Sequence, residues 1–176
     1  ALAAFNTVIS SGKYKLADCI YDNVNIATEN NSENMFSVQS SVTDGDAGGA
    51  NANNHDRLGL PHGDSFTSCC GFKQPSNDLV MAFKVDANGL PMSTKGVAVK
   101  KIEAGATDVL DPRVEYTAGR TGVPYLDWGP HKDSWIRGQG YQGWYSPKRT
   151  VHLKTQPVLA GGWTGTQLSA LNFPLM

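Results

Sequence analysis

The sequence is poor in charge, in long apolar runs and in the paired spacings that hold metals. Charged residues make up 18% of the 176, with 15 basic against 16 acidic side chains and a net charge of −1, where about a quarter is usual. Without a basic stripe, a nucleic-acid partner has no electrostatic support. No apolar run approaches the roughly 20 residues of a membrane-spanning helix. Cys19, Cys69 and Cys70 lack the short paired spacers of a zinc site, and an odd count argues against a disulfide framework. Adjacent Cys69 and Cys70 could close a strained vicinal disulfide, but free, partly buried thiols are their expected state. His55, His62, His131 and His152 show no His-x3-His or His-Glu-x-x-His pairing and read as surface residues. Asp44-Gly45-Asp46 lacks the further ligands of a calcium loop and reads as a solvated turn. No nucleophile elbow or catalytic cysteine signature is present. Asp127 and Asp133 could serve as a glycosidase pair, but any chain with 16 acids offers such pairs by chance. No catalytic residue, metal or cofactor is expected.

What the chain has instead is turns. Its 19 glycines and 9 prolines, with many Asn and Ser between Ser40 and Asn77, predict long ordered loops and few long elements. The expected fold class is mixed α and irregular structure with few short strands. Leu2, Phe5, Val8 and Ile9 fall at helical spacing, and Gly12 supplies a stop. Ala1 and Phe5 also fit the Ala-x3-Phe spacing of a tetratricopeptide repeat, whose single helix cannot bury its own apolar face. Met35 to Val42 alternates as a half-buried strand. Ser76 and Asp78 open a short helix with Leu79, Val80 and Phe83 on one face, and Asp86 to Gly89 turns. Asp111-Pro112 starts a second short helix or turn.

Aromatic side chains are the clearest chemical signal. Sugar rings present apolar C–H faces that lie on flat side chains, while their hydroxyls need amide, carboxylate and guanidinium partners. Two regions offer that mixture. Between Asn51 and Phe72, the candidate ligand-binding residues are Asn53, Asn54, His55, Arg57, Phe66 and Phe72. The other, Tyr125 to Tyr145, holds Trp128, Trp135 and Trp144. Tryptophans among glycines more often form the core of an irregular region, so Trp128 and Trp135 are expected to be scaffold.

The tract Asp111-Pro112-Arg113 through Gly119-Arg120 resembles the "DPR…GR" segment of SusD/RagB proteins. It continues into Gly122-Val123-Pro124-Tyr125-Leu126-Asp127-Trp128-Gly129, then Trp135-Ile136-Arg137, then Tyr145-Ser146-Pro147-Lys148. Upstream, Ser11-Gly12-Lys13-Tyr14 resembles the end of a repeat helix in that family. Asn30 to Phe36 is similar to the family's entry to a strand. The resemblance covers essentially the whole chain. It implies an internal segment of a longer, mainly α-helical protein with tetratricopeptide-like repeats. Residues 1–16 would end the first helical region, 17–176 would form the irregular central region, and Asn172 to Met176 would lead towards further helices. The implied function is non-enzymatic: a lipoprotein on the outer-membrane face of Bacteroidetes captures oligosaccharides, or peptides in the RagB branch, for a SusC-like TonB-dependent transporter. Membrane attachment would run through a lipid anchor on a cysteine upstream of this segment. A glycoside hydrolase accessory domain is the third alternative.

Overall fold

The computed structural model describes residues 1–25, 27–28, 30–39, 59–66, 70–149, 151–156 and 170–174. The expectations for Asp44, Asp46, Asn53, Asn54, His55, Arg57 and Cys69 lie outside the described residues. The chain divides into two compact units.

One unit holds the described residues before position 40 and the strand near the C-terminus. Helix α1, Leu2–Ser10, forms where the apolar spacing predicts it, and Gly12 at φ +64° ends it. None of its residues is buried, and Leu2, Phe5 and Ile9 are 73%, 64% and 66% exposed. Downstream, polar side chains brace a short 3-10 turn at Ile20–Asn23. Asn31 donates from Nδ2 to Asn23 Oδ1 at 3.1 Å, and Glu33 accepts the Ala17 amide at 2.8 Å. The Asn31 side chain also serves the backbone, donating to the Asp22 carbonyl at 3.2 Å and accepting the Glu33 amide at 2.9 Å, groups that the loop would otherwise leave unpaired. Strand β1, Asn34–Gln39, pairs antiparallel with β4, Ala170–Pro174, from Phe36 opposite Phe173 to Gln39 opposite Ala170. A bulge lies between Asn34 and Phe36. Asn172 to Pro174, read as leading towards further helices, lie within β4.

The second unit carries most of the buried core. Helix α2, Asn77–Ala82, begins at Ser76, whose hydroxyl accepts the Leu79 amide at 3.1 Å. That N-cap satisfies one orphan donor of the first turn. The buried face is Val80 and Met81, not the expected Leu79, which is exposed. Asp86 then accepts the amides of Asn88 and Leu90 at 2.8 and 2.9 Å, closing the turn at Gly89. These bonds hold its carboxyl below the usual range. Asp111 caps the 3-10 turn Pro112–Tyr116, as proline at the first position favours. Short strands β2, Ala118–Gly119, and β3, Ser146–Pro147, pair antiparallel, and a single-turn helix α3, Gln139–Gln142, precedes β3.

Two apolar clusters fill this unit. Val80, Met81, Ile102, Val114, Ala118 and Tyr145 form one, with Phe83, Leu110 and Trp144 against it. Tyr145 is fully buried, and its hydroxyl accepts the Ile102 amide at 2.9 Å. This bond ties residues 43 positions apart in a segment that has no ladder of its own. Tyr145→Phe keeps the ring and leaves that buried amide orphaned, so it should cost about 1–3 kcal/mol. Urea unfolding checks this; an unchanged midpoint would mean that the bond contributes nothing.

Candidate functional site

The second cluster is aromatic: Leu60, Tyr125, Trp135 and Val151, packed with Phe66, Cys70, Leu126 and Trp128. Phe66 lies flat on Trp128, with centroids 3.7 Å apart and planes 7° from parallel. The edges of Trp135 and His152 meet Phe66 at 5.6 and 6.1 Å, a preferred quadrupolar arrangement. Trp128 donates from Nε1 to the His152 carbonyl at 2.9 Å. The tryptophans are scaffold, as expected. Phe66, expected among the ligand-binding residues, is partly buried and packs in the same stack.

The histidines are also corrected. His131 and His152 are buried, each only 2% exposed. Burial holds the His131 imidazole neutral, depressing its pKa to about 4, and lowers that of His152 as well. Both ring nitrogens of His131 lack a hydrogen-bond partner, and its ring packs beside Tyr125 and Trp135 at 5.4 and 5.6 Å. Lys148 is buried too, with Nζ donating to the Pro124 carbonyl at 2.9 Å and lying 5.5 Å from the Tyr125 ring centre. Burial draws its pKa down to about 8. Asp127 and Asp133, the nominal glycosidase pair, both serve the fold. Asp127 accepts the Lys154 and Thr155 amides at 2.7 and 3.2 Å. Asp133 accepts from Lys101 and Thr121 at 2.8 and 2.6 Å.

Phe72 has a different setting. The residue is 46% exposed, and the guanidinium carbon of Arg137 lies 4.3 Å from the ring centre. Three contacts fix that arginine. The Gln74 side chain takes up both backbone polar groups of Arg137, accepting its amide at 2.8 Å and donating to its carbonyl at 2.9 Å. Arg137 Nη1 donates to the Cys70 carbonyl at 2.9 Å. Between them, Gly71 at φ +65° passes so close that a Cβ there would come within 2.7 Å of the Cβ atoms of both Arg137 and His62. Only glycine permits that approach and that backbone angle.

Cys70 is disulfide-bonded, which overturns the expectation of a free thiol at position 70. Phe72 is half-exposed and Phe66 partly buried against the aromatic core. Arg137 was read only as part of a family tract; its pairing with Phe72 spans 65 positions, and no local pattern encodes it. The described residues contain no group of three potential metal ligands and no helix long and apolar enough to cross a membrane. Compared with protein-family models and with curated proteins, the sequence matches none.

The buried histidine makes stability depend on pH. Its folded pKa of about 4 lies below the ordinary 6.5, so between those values the unfolded chain binds a proton that the folded chain refuses. Stability should therefore fall as pH drops from about 6.5 towards 4, by up to roughly 3 kcal/mol from His131. Denaturant titrations across that window should show the loss, and His131→Leu should flatten it, leaving the smaller slope of His152. An identical slope in the variant would contradict the assignment.

Proposed function

We propose that this chain is part of a SusD/RagB-type surface lipoprotein that binds oligosaccharides without cleaving them and passes them to a SusC-like TonB-dependent barrel. The observation that carries the reading is the ordered series from Asp111 to Lys148. Its residues have consistent structural uses. Asp111 caps a turn, Arg120 pairs with Glu115, and Tyr125, Trp128 and Trp135 build the aromatic core. A tract devoted to scaffold leaves ligand choice to the loops around it, which suits a binding protein that must meet varied substrates on one frame.

Glycan capture is favoured over hydrolysis because the two acids considered as a glycosidase pair are engaged by neighbouring loops. Asp127 and Asp133 each hold several donors of neighbouring loops. Phe72 adds the flat exposed ring that stacking on a sugar requires. On this reading the protein sits on the outer face of the outer membrane, held by a lipid anchor outside this chain, and needs no cofactor.

Calorimetric titration of the full-length protein with a panel of soluble oligosaccharides tests the proposal, with product analysis of the same mixtures. Expected are saturable binding of at least one glycan class, no released products, and co-purification with a TonB-dependent barrel from membranes. Released sugars would make it a hydrolase, and binding of peptides alone would make it a peptide-capture protein.

A further inference from the structure

We propose that the exposed ring of Phe72 and the guanidinium of Arg137 form a subsite for an anionic sugar residue, a uronic acid or a sulfated sugar, within the captured glycan. The inference rests on the glycan-capture reading and adds the charge of the ligand to it.

The charge balance around Arg137 motivates the choice. Arg113 and Arg120 each pair with a carboxylate, of Asp111 and Glu115 respectively. Arg137 pairs with none among the described residues, and its guanidinium makes one hydrogen bond, to the Cys70 carbonyl. A guanidinium has five N–H donors in a planar fork, so most of them remain available to a ligand. That fork matches a carboxylate or sulfate with two parallel bonds.

The arginine is also held in place before any ligand arrives. The Gln74 amide clamps its backbone from both sides, and Gly71 lets the Cys70–Phe72 strand of the loop press against its Cβ. A donor already fixed loses little freedom on binding. Phe72 supplies the second half of the recognition, a half-exposed ring whose open surface suits the C–H face of a pyranose. A neutral sugar would use the ring alone; a sugar carrying an anion would use both groups at once. A cation–π contact that merely pinned the loop would give no preference between the two.

Isothermal titration of the full-length protein with oligogalacturonates tests this, comparing free carboxylates with the methyl-esterified form of equal length. Chondroitin sulfate oligosaccharides supply the sulfated arm, and malto- and cello-oligosaccharides the neutral controls. An anionic arm should bind at least tenfold more tightly than its neutral counterpart, with the advantage shrinking as salt rises. Phe72→Ala and Arg137→Gln should each weaken anionic binding tenfold or more, and Arg137→Lys less. Because Arg137 also holds the Cys70 carbonyl, Phe72→Ala, which touches only the exposed ring, keeps the test valid if the arginine variant fails to fold. Equal affinity for charged and neutral forms, or anionic binding indifferent to both positions, would overturn the subsite while glycan capture stands. Arginine-dependent binding of an acidic peptide without any sugar binding would assign the subsite to peptides. No binding of any glycan would remove the parent reading, and the subsite with it.

Discussion

The larger unit depends on a stretch of backbone that carries no side chain. Gly119 lies against the rings of Tyr125 and His131, and a Cβ there would come within 2.5 Å of one and 2.8 Å of the other. The close approach lets strand β2 pair with β3 while Tyr125 passes beneath it to donate to the Pro147 carbonyl. Lys148, on the far side of that proline, then finds its ammonium beside the same ring. His131, Trp135 and Phe66 close around Tyr125 at 5.4 to 6.2 Å. In a region with two-residue strands, aromatic area replaces the hydrogen-bonded ladder as the chief source of cohesion.

Local features were legible because local chemistry decides them. The Ser76 cap, the Asp86 turn and the Asp111-Pro112 start each need only a side chain and the amides two to four residues away. The helix at Leu2–Ser10 follows from spacing alone. Membership of the core was less legible. Phe66 sits 62 positions from Trp128, and nothing in its flanking sequence separates it from Phe72, whose ring faces solvent. Histidines average near the surface, so His131 and His152 were expected there; their burial follows from rings that arrive from elsewhere in the chain. The odd cysteine count argued against a disulfide framework, yet Cys70 is bonded.

Scaffold and candidate site therefore part along a chemical line. Rings that meet other rings, such as Phe66, Tyr125, Trp128 and Trp135, stabilise the fold. A half-exposed ring beside a cation, Phe72, is the one the proposed subsite uses. The two sets stay close in sequence because one loop supplies both, with Gly71 setting the turn between Cys70 in the core and Phe72 outside it. Such an arrangement lets the ligand surface vary while the frame beneath it is retained.

Amide hydrogen exchange of the full-length protein, with and without a bound oligosaccharide, tests this division most directly. Without ligand, the bonded amides of Gly71, Gly122, Tyr125 and His131, at 2.8 to 2.9 Å from their acceptors, should exchange slowly. Addition of glycan should slow exchange further at residues 71–74 and 136–138 and leave Tyr125 to His131 unchanged. Ligand-induced protection centred on Tyr125 to Trp128, with none around Phe72 and Arg137, would show that the aromatic core is the binding surface and contradict the account.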